Sequence, residues 1–297
     1  TDTSLFTMRF VGTPFTFAYE QVGNNCGLLG KNAAVEVDGA AYWMSDNGFF
    51  RYTGQLQSMQ CLVEDYVYDD LNTSSNQLVY CGINNLFGEI TWFYCTSGSN
   101  VVDRSVTYSY LDSTRDRPIW FTNASSIFPR TTWEDSAVFG LPHATQYDAD
   151  TDTCGTVGNT DGISIYYEHE TGVNYIKGGT SFAVPASITS GDYDITQDQR
   201  EGISFRGDGE FIMRVSRIIP DFITQTGNAI VQLDLRDYPN DAATSSPLGP
   251  FTLTPTTTKV DTRARARQIA LTISNTAVDS NWKLGTFRLD VHSGGRR

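Results

Sequence analysis

Residues 41–54 read Ala41-Tyr42-Trp43-Met44-Ser45-Asp46-Asn47-Gly48-Phe49-Phe50-Arg51-Tyr52-Thr53-Gly54. Two aromatic-rich runs flank Ser-Asp-Asn-Gly, a turn sequence, and Thr-Gly turns the chain again. This is the signature of a β-hairpin. A second copy follows about fifty residues on. Ile90-Thr91-Trp92-Phe93-Tyr94-Cys95 leads through the polar stretch Ser97 to Asn100 into Ser105-Val106-Thr107-Tyr108-Ser109-Tyr110. A third runs from Ala137-Val138-Phe139-Gly140 through Ala144-Thr145-Gln146-Tyr147 and past an acidic loop to Ile163-Ser164-Ile165-Tyr166-Tyr167-Glu168. Repeats of this length, each built of short aromatic strands, are the pattern of β-propeller blades. About three blades fit between Ala34 and Val173. A propeller typically needs at least four. Either further blades precede residue 1 or the meanders belong to a sandwich, and the first is expected.

Composition points the same way. Thr, Ser, Gly, Asn and Asp abound, with 17 Phe and 15 Tyr, while the Lys and Glu of surface helices are scarce. Strands favour aromatic and β-branched residues, and turns favour Gly, Asn and Asp. An all-β chain is predicted, with one short helical turn over Asp69 to Gln77. Past Lys177-Gly178-Gly179-Thr180 the texture changes. A strand region is expected from Phe205 to Phe222. Ala229 to Leu235 and Arg267 to Ile273 alternate, and Trp282-Lys283-Leu284-Gly285 leads to Phe287-Arg288-Leu289-Asp290-Val291. Regular strands separated by turn residues read as a β-sandwich. The expected division is therefore 1–178 as partial β-propeller blades and 179–297 as a C-terminal β-sandwich.

The chain opens without an initiator Met and already in strand-like alternation, Leu5, Thr7 and Arg9 against Phe6, Met8 and Phe10. Residue 1 is expected to fall inside a domain of a processed or longer chain. Neither a secretory signal nor an apolar run of membrane-spanning length is read.

Net charge is −13. From Lys259 onward eight basic residues face three acidic ones, a net of +5, which leaves −18 on the first 258 residues. An acidic body repels nucleic acid rather than binding it. The five cysteines form no C-x-x-C pair, and only three His are present, so a zinc site is not expected. Cys81 and Cys95 read as buried thiols. Cofactor motifs are not found.

Asp148, Asp150 and Asp152 alternate like the start of a calcium loop. The sixth position is Thr153 instead of Gly and the twelfth is Asn159 instead of Glu, so an acidic turn is the favoured reading. Arg263, Arg265 and Arg267 recur with period two and are expected on one strand face. A contact with a neighbouring subunit, a solvated edge strand and DNA phosphates are the open readings. His143 and His169 have no nucleophile beside them in sequence. The adjacent pairs Glu64/Asp65 and Glu134/Asp135 would point to opposite faces of a strand, so spacing alone does not make them glycosidase pairs.

Several stretches resemble a known family. Thr1 to Met8 is similar to an aromatic blade-ending strand, and Ala41 to Gly54 to the next hairpin. Thr262 to Leu271 and Trp282 to Asp290 resemble the closing domain of the same proteins. These are the tail nozzle, or packaged-DNA stabilisation, proteins of short-tailed phages. The resemblance implies a virion structural protein of the tail, made in the host cytoplasm, and no enzyme. It implies a hexameric ring of copies of this chain below the portal and its adaptor proteins. The ring would continue the DNA channel, hold genomic DNA until ejection without sequence-specific binding, and anchor tail fibres or spikes. The alternative is a carbohydrate-binding receptor or tail-spike-type propeller, with Trp43, Trp92, Trp120 and Trp133 lining sugar sites. Their place in alternating strands favours the core.

Overall fold

The computed structural model describes residues 1–124, 129–148, 163–177, 179–198, 202–204, 211–238 and 247–295. The chain is all-β, with 55% strand and 4% helix. It divides into two compact units, Thr1–Thr171 and Gly172–Arg297.

Unit 1 starts with a two-stranded ribbon, β1 (Ser4–Phe10) and β2 (Phe17–Asn24). Two four-stranded antiparallel meanders follow. The first comprises β3 (Ala34–Val37), β4 (Ala40–Ser45), β5 (Gly48–Tyr52) and β6 (Leu56–Met59). The second comprises β7 (Tyr80–Asn84), β8 (Glu89–Tyr94), β9 (Arg104–Ser109) and β10 (Trp120–Asn123). A three-stranded meander, β11 (Thr132–Glu134), β12 (His143–Asp148) and β13 (Ile163–Glu168), closes the unit. Between the first two meanders lie α1 (Glu64–Tyr68) and a 3-10 turn, Thr73–Leu78. The helical turn thus begins earlier than Asp69. The 3-10 turn opens with an Asn72 side chain capping the Ser74 N–H at 3.0 Å. Ala137–Gly140, expected as strand, is a turn; the strand preceding β12 is β11.

The meanders join through their first strands, β3 beside β7 and β7 beside β11. The Cys81 N–H donates to the Asn32 carbonyl at 2.8 Å, tying β7 to the lead into β3. One core spans the first two meanders, with Tyr42, Met44 and Phe49 packed against Val79, Ile90, Trp92 and Val106. Phe49 lies 4.9 Å from Trp92 and 4.8 Å from Trp120, ring centre to ring centre. Such pairs contribute about 0.5–1.5 kcal/mol each beyond their buried area.

Unit 2 begins with the hairpin β14 (Asn174–Lys177) and β15 (Thr180–Ala183), then β16 (Ala186–Thr189) and a second hairpin, β17 (Thr196–Asp198) and β18 (Gly202–Ser204). The remainder is β19 (Met213–Ile219), β20 (Phe222–Thr226), β21 (Ala229–Arg236), β22 (Leu248–Leu253), β23 (Val260–Ala266), β24 (Gln268–Asn275), β25 (Asn281–Leu284) and β26 (Arg288–Ser293). One sheet has the order β16-β24-β21-β22, another β23-β19-β26, and β20 pairs with β25. Pro220 separates β19 from β20, because proline cannot donate to a ladder. Inward residues of both larger sheets share one core: Met213, Val215 and Ile218 of β19, Val231 and Leu233 of β21, Ala264 of β23, Ile269 of β24. A bulge between Val215 and Arg217 shifts the parity, so Ile218 returns to the interior.

Candidate functional site

The units divide the charge sharply. Unit 1 holds 21 acidic and 7 basic residues, net −14; unit 2 holds 13 acidic and 14 basic, net +1. Within unit 2 several basic residues lie on the sheet β23-β19-β26. Arg263 and Arg265 are exposed on β23, alternating with the buried Ala264 and Ala266. Strand alternation therefore turns both guanidiniums outward. Arg214 of β19 lies directly across from Arg265 on one side and from His292 of β26 on the other.

The two ends of this face differ. At one end Arg217 holds Asp261 at 2.9 Å and Asp290 at 3.4 Å, and Lys259 reaches Asp261 at 3.1 Å. Hydrogen bonds from Arg217 and then Lys259 keep the Asp261 carboxyl below its usual range. At the other end Arg214, Arg263 and Arg265 have no acidic partner among the described residues. Like charges directly across strands oppose folding by several tenths of a kcal/mol, roughly, when exposed. An anionic surface laid over the row would remove that cost. Three guanidiniums on a rigid sheet suit carboxylates or phosphates, which they grip through paired N–H donors.

Arg267 does not belong to this row. Strand β23 ends at Ala266, and Arg267 sits at the bend before β24, half-buried. Its backbone N–H donates to the Arg236 carbonyl at 3.0 Å, and its guanidinium lies 6.0 Å from the Tyr238 ring centre. The period-two spacing runs across a strand end, which spacing by itself does not reveal. Arg214 and His292 were missed because they join the row only through strand pairing, about 50 and 30 residues away in sequence.

The chain matches no known family model, and no curated protein matches it.

The other sequence candidates do not converge. Asp148 ends β12. Asp150 and Asp152, like Cys154, lie outside the described residues. Glu64 and Asp65 stand in the first turn of α1. Glu134 is exposed on β11, and Asp135 accepts the Asn85 backbone N–H at 2.6 Å. His143 meets the Tyr166 hydroxyl through Nδ1 and the Phe139 ring edge-on.

His169 is part of a buried node. Its Nε2 accepts a hydrogen bond from Arg130 Nε at 2.9 Å. Arg130, almost wholly buried, also donates to Gln146 Oε1 at 2.8 Å and lies over the Tyr167 ring at 4.3 Å. Burial first, then the Arg130 charge, pushes the His169 imidazole down to about 3. It is a neutral acceptor, which suits packing against Trp133 at 4.5 Å. Nearby, Asn84 donates to Glu170 at 2.8 Å, and burial raises the Glu170 and Glu89 carboxyls.

The tryptophans face inward. Trp43 and Trp92 are buried, and Trp120 and Trp133 half-buried. Each indole N–H donates to a backbone carbonyl earlier in the chain: Trp43 to Cys26, Trp92 to Ala33, Trp120 to Gln60 and Trp133 to Ile83. Each bond ties one module to the segment before it. Trp43 and Trp92 are too buried to present a ring face to a sugar. Cys26, Cys61, Cys81 and Cys95 are buried free thiols, and burial raises Cys61 and Cys95 to about 11.

Proposed function

We propose that the chain is a structural subunit of a short phage tail, a nozzle ring built from copies of itself, and acts without catalysing a reaction. The ring continues the DNA channel, retains the packaged genome until ejection and anchors fibres or spikes. Genomic DNA passes through it without sequence-specific binding. The place of action is the virion tail, after synthesis in the host cytoplasm, where buried free thiols are at home. The phage assignment rests on the resemblance of residues 1–8, 41–54, 262–271 and 282–290 to such proteins.

One observation carries the assembly reading: the row of Arg214, Arg263 and Arg265 on unit 2, without an acidic partner among the described residues, in a chain whose unit 1 holds net −14. Each copy offers an anionic body and a cationic face. Different patches that complement each other give head-to-tail contacts, which close into rings when the rotation permits. In this reading Arg263 and Arg265, with Arg214, grip carboxylates of the neighbouring copy. An acidic lumen offers DNA few sticking points. The meanders of unit 1 are blades of a β-propeller whose inner strands are β3, β7 and β11. The larger sheets of unit 2 form a C-terminal β-sandwich. We divide the chain functionally at 178/179, blades before and sandwich after.

The deciding experiment is an image reconstruction of the native particle. It is expected to place six copies around the tail axis beneath the portal adaptor. A chain absent from virions, a stable monomer with turnover, or a ring whose channel wall is basic would overturn the reading.

A further inference from the structure

The β1–β2 ribbon is amphipathic in an unusual place. Cross-strand pairing puts Phe6, Met8 and Phe10 on the same face as Gln21, Tyr19 and Phe17. Thr7, Arg9, Ala18 and Glu20 form the other face. No residue from Leu5 to Asn25 is buried. Met8 is 58% exposed, Phe10 72% and Tyr19 70%. Among the described residues the base is tied down, by the Cys26 N–H on the Thr3 carbonyl, the Leu28 N–H on the Thr1 carbonyl and the Asn47 side-chain amide on the Asn25 carbonyl. A two-stranded hairpin alone in water is marginal at best, and this one spends its apolar face on solvent.

We propose that this face packs against the same face of a second copy, with the cross-strand pair Met8–Tyr19 at the centre. Three arguments select that occupant. The first is area. Phe6, Met8, Phe10, Phe17 and Tyr19 leave roughly 600 Å² open, at the upper end of the largest patch on an ordinary monomer. Two such faces bury roughly 1,200 Å², the threshold of a specific stable interface. The second is charge. Residues 4–24 hold one Arg and one Glu, so the ribbon is the neutral part of an acidic chain. Two ribbons meet without the repulsion that keeps the bodies apart, whereas an anionic lipid surface would repel the chain as a whole. The third is the backbone. Among the described residues no further strand pairs with the outer edges of β1 and β2, so their outward N–H and C=O groups lack a ladder partner, which hydrocarbon does not tolerate and a wet ribbon-on-ribbon contact does. A two-fold axis needs a patch that complements itself, and a flat aromatic ribbon face meets that condition.

The contact does not rest on the tail reading, and salt separates the two. The test uses the full chain in 0.5 M NaCl, where contacts between exposed charges are screened. Sedimentation velocity over a range of concentrations is measured for wild type, M8E/Y19E, M8K/Y19K and R9E/E20K. Wild type and R9E/E20K are expected to associate alike. Each face variant alone is expected to associate at least tenfold more weakly, and an equimolar mixture of the two to recover association. Circular dichroism checks the fold, which the variants keep because the ribbon lies outside the core. A monomeric wild type, face variants that associate like wild type, or a mixture that fails to recover would overturn the proposal. So would misfolded variants, or association unchanged in M8E/Y19E while binding to phosphatidylcholine vesicles is lost.

Discussion

Trp92 meets two demands at once. Its ring fills the core between two meanders, and its N–H must find an acceptor away from water. The Ala33 carbonyl supplies it at 3.0 Å while also accepting from the Met44 N–H at 3.1 Å. Trp92→Phe keeps aromatic packing but removes that bond and leaves a gap. We expect a loss of about 2–3 kcal/mol, read as a lower denaturation midpoint of unit 1. His169 sets the acid limit of the same unit. Its folded value near 3 lies below the ordinary 6.5, so the unfolded chain takes up the proton first. The stability it contributes is complete above pH 6.5 and is lost as pH falls toward 3. The loss amounts to about 3 kcal/mol by pH 4. The raised Glu89 and Glu170 carboxyls act in the opposite direction, so the informative quantity is a difference. His169→Gln is expected to show a shallower decline in denaturant stability than wild type between pH 6.5 and 4.

Among the elements, close approach decides more than propensity. A Cβ on Gly82 would stand 2.5 Å from the Trp133 ring, so this glycine is what lets β11 lie against β7. Gly82→Ala is expected to cost about 1–3 kcal/mol and to quench or shift the Trp133 emission, measured by denaturation followed through fluorescence. The sequence made β4, β5, β8 and β9 legible, because aromatic runs bounded by turn residues leave few alternatives. It placed the second and third strands of the third repeat but misplaced the first. Ala137-Val138-Phe139-Gly140 is apolar enough for a strand but forms a turn with Phe139 edge-on against His143, while the polar Thr132–Glu134 is the strand. Pairing with β12 and the docking of Trp133 outweigh local hydrophobicity there. In β19 a bulge at Ser216 changes the strand's parity halfway along, which no local pattern of residues marks.

Across the whole molecule, charge and apolar surface are segregated. The proposed contacts through Arg214, Arg263 and Arg265 would be electrostatic and would weaken as the Debye length shrinks from about 10 Å at 0.1 M salt to about 3 Å at 1 M. Light scattering is expected to show that R214E/R265E reduces association at 50 mM NaCl to the level the ribbon face alone supports and changes nothing at 0.5 M. The reverse sensitivity belongs to the ribbon face, since burial of apolar surface is not screened. One association lost at low salt in the arginine variant and another lost at high salt in the ribbon variants would mean two independent interfaces per copy, enough for an extended assembly.

The sequence by itself determined the all-β class, the repeat of aromatic hairpins and the contrast between an acidic body and a basic end. Those follow from composition and period, which act over a few residues at a time. Only the tertiary structure decided that Arg214 and His292 line up with Arg265, that Arg267 falls beyond the strand, and that Phe6, Met8 and Phe10 face water. Strand pairing brings distant residues together, and whether an apolar face is covered depends on what folds over it, so neither is written in local spacing.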